Sequence, residues 1–214
     1  MTFQYESKVW HNTSKASVAS VAEQLLGLLQ TKRRALGSDG PIVFVVHSLG
    51  GIIIKQAIST ANDIHNQTFR DIADATRGIV FFGTPHRGSD AAKTLDPVHK
   101  ITAVGWTRMR FLSLLTPHSH ELRDISDDFR HVAQRYALVT FYEQHIHPGL
   151  RDLIVDKASS VMGIAHEDIM MLGGNHSSMC KFFQDDPRFD TVWMAIESAA
   201  KGLAVRGQAP AAPA

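Results

Sequence analysis

The sequence predicts an α/β protein with a mostly parallel sheet and helices on both faces. Three observations carry this. The stretch Pro41 to Ile58 sets the apolar run Ile42–Val46 before His47, Ser48, Leu49, Gly50 and Gly51, and a second apolar run of helix length follows, carrying Lys55 and Gln56. An unbroken, β-branched run of that kind suits a parallel strand buried on both faces. Three more short apolar runs recur at Gly78–Phe82, Ala137–Tyr142 and Glu167–Leu172, and helix-period segments separate most of them.

Composition narrows the class. A chain of 214 residues suits one domain with a sizeable core, and 44% hydrophobic with 20% charged residues is typical of soluble globular proteins. Lys plus Arg number 22 against 21 for Asp plus Glu, a balance that provides no strong field for nucleic acid or a membrane surface. The single cysteine, Cys180, excludes an internal disulfide and fits a reducing, intracellular setting, most simply the cytoplasm. No apolar segment approaches membrane-spanning length, and MTFQYESKVW is not a signal peptide.

In chain order, Thr2 to Tyr5 reads as a short strand. Ser17 to Leu36 reads as a helix, because Val18, Val21, Ala22, Leu25, Leu28 and Leu29 share one face. Ser14 or Ser17 can cap it, and Lys32, Arg33 and Arg34 suit its C-terminal end. Gly37–Gly40 is the loop into the first core strand. The turn at His47–Gly51 places Ser48 at that strand's carboxyl end, in front of unpaired helix N–H groups. Asn62–Arg77 is a polar passage to the second strand, and Thr84-Pro85 with Gly88 is turn chemistry. Ala91–Thr116 breaks the alternation, with Leu95, Trp106 and Phe111 among its apolar residues. It reads either as a lid over an apolar substrate pocket or as a core-facing helix. Ser119–Arg135 is a helix with Leu122, Ile125, Phe129 and Val132 on one face. Glu143 stands at the end of the third strand, where functional groups collect in such sheets. Asp152–Val161 is a loop and short helix. After the fourth strand, Gly173 and Gly174 let the chain turn and present His176. Asp190–Leu203 closes the fold with Val192, Trp193, Ile196 and Ala200 inward, and residues 205–214 are a Pro/Ala tail expected to lack order.

VHSLGG, Val46 to Gly51, resembles the G-x-S-x-G nucleophile elbow of α/β-hydrolases, with Val46 at the first glycine. GIVFFGTPHRGSD (Gly78–Asp90) and GNHSSMCKF (Gly174–Phe182) resemble the lipase-like serine esterase domain found at the N-terminus of fungal NACHT and other NLR-type proteins and in serine-active-site-containing lipases. The likeness runs from near the first residue to about Ile196. It implies an α/β-hydrolase domain over residues 1–204 that lacks the fold's first strands. Among these is the strand whose His-Gly loop supplies half of the oxyanion hole. The expectation is therefore a truncated chain, a fragment, or one completed by another chain, with an exposed sheet edge where the missing strands would pair. The resemblance also implies no metal or cofactor, an ester or lipid-like substrate, contact with organelle membranes, and a homo-oligomer or an NLR-type domain as partner. No Lys-Ser/Thr pair follows the glycines, which argues against a phosphate-binding loop.

A serine hydroxyl needs a base within hydrogen-bond reach and a carboxylate to orient that base. In this fold the chain order is Ser, acid, His. Ser48, Glu143 and His176 satisfy it, each at the end of a separate strand. Asp156, and after it Asp152, stay open as the acid. The Leu49 N–H is the expected oxyanion donor, and His47, His86 and Arg87 are expected at the substrate rim. The alternative for His86 and Arg87 is a rigid turn with Arg87 in an ion pair. Cys180 is expected to pack. His145 and His147 resemble half a metal site, but no partner cluster accompanies them, so a solvated loop is expected. The functional reading is a serine esterase. The alternatives are a catalytically impaired module serving recognition or signalling, and a binder of lipid or peptide.

Overall fold

The structure is a computed structural model that describes residues 1–3, 15–65, 67–86 and 120–202. Arg87, most of the first expected strand, the segment 91–116 and the tail lie outside them. So does Ser14, while Thr2 and Phe3 are in no strand.

Helix α1 (Lys15–Leu36) leads to strand β1 (Ile42–His47), helix α2 (Gly50–Ala61), a 3-10 turn at Gln67–Phe69 and the short α3 (Arg70–Ala75). Strand β2 (Thr76–Phe82), helix α4 (His120–Val132), strand β3 (Ala137–Glu143), α5 (Lys157–Ser160), strand β4 (Glu167–Leu172) and α6 (Pro187–Ala200) complete the order. The four strands are parallel in the order β1-β2-β3-β4, so the predicted α/β class holds.

Side-chain alternation divides the core into two layers. Ile79, Phe81 and Leu138 face α1, α2 and α4, together with Ile52, Leu26, Ile125 and Phe129. Val80, Phe82, Val139 and Phe141 face α6, where Val192, Ala195 and Ala199 meet them. Helix α6 begins on Asp186, whose carboxylate accepts from the Arg188 N–H, with Pro187 at its first position.

Four expectations are corrected. The strand β1 is not buried on both faces: among the described residues it is an outer strand of the sheet, and Val45 is 51% exposed. The β4 run is the other outer strand among the described residues, and Ile169 and Met171 face outward. Helix α1 starts at Lys15, so Ser17 lies inside it and cannot be its cap. Trp193 points outward, because the stripe that meets the sheet runs through 192, 195 and 199.

The α6 layer lies close to the sheet because β2 has a glycine opposite Ala199. A Cβ on Gly78 would sit 2.7 Å from the Ala199 Cβ and 2.9 Å from the Ala137 carbonyl oxygen. Gly78→Ala is therefore expected to cost about 1–3 kcal/mol by overpacking, read as a lowered urea midpoint at unchanged slope.

Candidate active site

A parallel sheet delivers every strand's carboxyl end to one edge, and the side chains of the site come from there. Ser48 follows β1. Its N–H donates to the Phe82 carbonyl at 2.8 Å, which extends the β1–β2 ladder by one bond. Its φ is +53°, a left-handed conformation that a side chain adopts at a cost of about 1–2 kcal/mol. The tight turn lets α2 start immediately, and no side chain caps that helix.

Ser48 Oγ and His176 Nε2 are 3.0 Å apart, although 128 residues separate them in the chain. On the ring's other side, Nδ1 is 3.6 Å from Glu143 Oε1. Glu143 is 1% exposed, and its charge is met by backbone donors: Val155 N–H on Oε1 at 2.5 Å and His176 N–H on Oε2 at 2.9 Å. A buried carboxylate needs such partners. Hydroxyl, imidazole and carboxylate thus form one buried line.

The histidine loop is braced from several sides. The Asn175 carboxamide oxygen accepts from the N–H groups of Ser177 and Ser178, an Asx turn. Arg188, on α6, donates to the Gly173 carbonyl at 2.6 Å. Beneath the ring lies Gly83, with φ +51°, where a Cβ would stand 3.0 Å from His176 Nδ1. Next to it, Thr84 packs against α2 so closely that a Cβ on Gly51 would fall 2.3 Å from its hydroxyl oxygen.

The structure therefore brings Ser48, Glu143 and His176 together. Asp156 is elsewhere: it caps α5, accepting from the Ser159 N–H at 2.7 Å. His47 is partly buried against His176, ring centroids 4.9 Å apart, and its Nε2–H donates to the His176 carbonyl at 2.8 Å; it also lines an open cleft with β1 and the start of α2. His86 is corrected. It is 2% exposed, edge-on to Phe81, so it cannot shape a substrate mouth. Leu49 is at the head of α2. Cys180 is half-buried against the α6 layer, and burial pushes its thiol up. His145 is exposed, and the described residues hold no group of metal ligands. Gly83, Asn175 and Arg188 were missed in the sequence. The Asn-His-Ser-Ser run carried the only local signal, that of an Asx turn.

No family model matches the chain. It is similar to Protein SERAC1 of Bos taurus, 29% identical over 179 residues, which covers 79% of this chain and 25% of that protein. Human Protein SERAC1 is 26% identical over 192 residues, covering 85% of this chain and 28% of the relative. The chain thus spans about a quarter of the length of these relatives. Among solved structures it resembles the NocB thioesterase domain bound covalently to a fluorophosphonate nocardicin G analogue (TM-score 0.43, 17% identity, 90% of this chain and 81% of that one). It also resembles the Paleococcus ferrophilus monoacylglycerol lipase (TM-score 0.41, 14% identity, 85% and 76%). At these scores neither likeness carries weight beyond the α/β architecture already described.

The strain at Ser48 is measurable. Ser48→Gly and Ser48→Ala both lose the hydroxyl, but only glycine relaxes at positive φ, so the glycine variant should be more stable by about 1 kcal/mol in urea unfolding. His47 makes stability depend on pH. Burial first, then the neighbouring His176, lower its pKa from 6.5 to about 4. Between those values the unfolded chain holds a proton that the folded one refuses, so stability falls as pH drops through that window. The expected loss is roughly 2–3 kcal/mol. His47→Gln keeps a donor for the His176 carbonyl and should remove this component when unfolding is compared at pH 7 and pH 4.5.

Proposed function

We propose that this domain is a serine hydrolase that cleaves carboxylic esters, lipid-like ones among them, through an acyl-enzyme. The contact of Ser48 Oγ with His176 Nε2, with Glu143 across the ring, is the observation that carries the reading. Ser48 Oγ attacks the acyl carbon as its proton passes to His176 Nε2. The oxyanion of the tetrahedral intermediate is held by the Leu49 N–H at the uncapped start of α2. His176 then gives its proton to the departing alkoxide, and the acyl group stays on Ser48. Water attacks this ester, its proton goes to His176, and the acid leaves as the proton returns to Ser48. Glu143 holds the ring with its N–H on Nδ1 and stabilises the imidazolium. No metal or cofactor enters these steps.

A second reading is favoured by two observations. Ser48 is 2% exposed and His176 is fully buried, and among the described residues no strand pairs with the outer side of β1, whose main-chain groups could take another strand. A hydrolase-like module that serves recognition, in an NLR-type protein or a homo-oligomer, would have these features without turnover.

A fluorophosphonate probe separates the two. Ser48 should become covalently labelled, Ser48→Ala should abolish the label, and His176→Ala should weaken it. Hydrolysis of short p-nitrophenyl esters should fall about 10²–10⁴-fold in Glu143→Gln. Folded protein that neither labels nor turns over would overturn the esterase reading and leave the recognition module.

A further inference from the structure

Residue 47 sits where two members of the site meet. It ends β1, one peptide bond before Ser48, and its ring lies against the His176 ring, centroids 4.9 Å apart and planes tilted by 44°. Its Nε2 is 2.8 Å from the His176 carbonyl oxygen. A carbonyl only accepts, so Nε2 carries the proton. Burial first, then the neighbouring His176, keeps a second proton off this ring near neutral pH. His47 is thus a donor without a charge.

The contact completes a clamp. Glu143 Oε2 holds the His176 N–H at 2.9 Å, and His47 holds the carbonyl of the same residue. With both ends of its main chain fixed, the bond that carries the imidazole has a fixed direction. The contact also closes a ring of interactions. It runs from Ser48 Oγ to His176 Nε2 at 3.0 Å, through His176 to its carbonyl, on to His47 Nε2, and back through one peptide bond to Ser48. Nucleophile and base are therefore joined twice. The other braces do not do this: Asn175 ties the histidine loop to itself, and Arg188 ties it to α6.

We propose that His47 is a positioning residue for the hydrolytic step: its ring N–H, on the His176 carbonyl, sets the imidazole in register with the Ser48 hydroxyl. This role rests on the esterase reading above. A neutral donor suits the place, because His176 becomes positive as Ser48 attacks, and a cation at residue 47 would oppose that charge. A seat at the substrate rim would be different, since His47 would then act on substrate affinity.

Two variants separate the donor from the ring. His47→Phe keeps a ring and loses the donor, whereas His47→Gln keeps a donor and loses the ring. With a short p-nitrophenyl ester, His47→Phe should lower kcat about 10–10²-fold at nearly unchanged KM, and His47→Gln should recover most of that loss. A change confined to KM, or equal losses in the two variants, would overturn the positioning role. A second readout needs no turnover. In proton–nitrogen NMR spectra of the histidine rings, wild-type His47 should show the Nε2–H tautomer. The His176 ring signals should shift and broaden in His47→Phe and stay near wild type in His47→Gln. A His47 ring protonated on Nδ1 instead would overturn the proposal without any variant, and so would His176 signals indifferent to both substitutions. Wild-type protein that neither labels with fluorophosphonate nor turns over would sink the esterase reading alone, and the ring spectra would still decide whether His47 holds His176 in place.

Discussion

Glu143 is a carboxylate with almost no access to water, and its environment is arranged to answer that charge. The N–H of Val155 reaches one oxygen and the N–H of His176 the other, while the imidazole of His176 lies alongside. These contacts join the end of β3, the loop before α5 and the turn after β4. Removal of the carboxylate would leave backbone donors unsatisfied in two segments at once. The position of His176, and with it the distance to Ser48, follows from this one buried charge.

The remaining geometry depends on close approach. Ser48 holds a left-handed backbone so that its hydroxyl stands clear of the strand, and α2 begins within one residue of it. Gly51 admits the Thr84 side chain, Gly83 admits the His176 ring, and Gly78 admits α6. The local strain at Ser48 is sustained because the ladder bond from its N–H to Phe82 and the packing of α2 leave the chain little alternative.

The α/β class and the strand ends were legible in the sequence because apolar runs and chain order are local properties. The convergence of residues 48, 143 and 176 follows once the strands are taken as parallel. What could not be read is what depends on distant neighbours. β1 looks like an interior strand by composition, yet no local feature says that it is an outer strand among the described residues. Trp193 looks like a core residue by size, but α6 meets the sheet through small residues, Ala195 and Ala199, the second of which fits against Gly78. His86 sits in turn-like sequence and reads as exposed. Its burial comes from α2 and α4, elements more than a helix length away in the chain. Lys55 was a visible anomaly, a charge inside an apolar helix, whose partners only the fold reveals.

The tie from Arg188 to the Gly173 carbonyl has a temporal side. A polypeptide leaves the ribosome N-terminus first, so the serine and its strand emerge long before the imidazole that it meets. The brace on the imidazole's loop arrives later still, at the head of α6. During synthesis the hydroxyl thus stands without the imidazole until residue 176 has been made, and the loop that carries the imidazole stands without its arginine brace until residue 188 has.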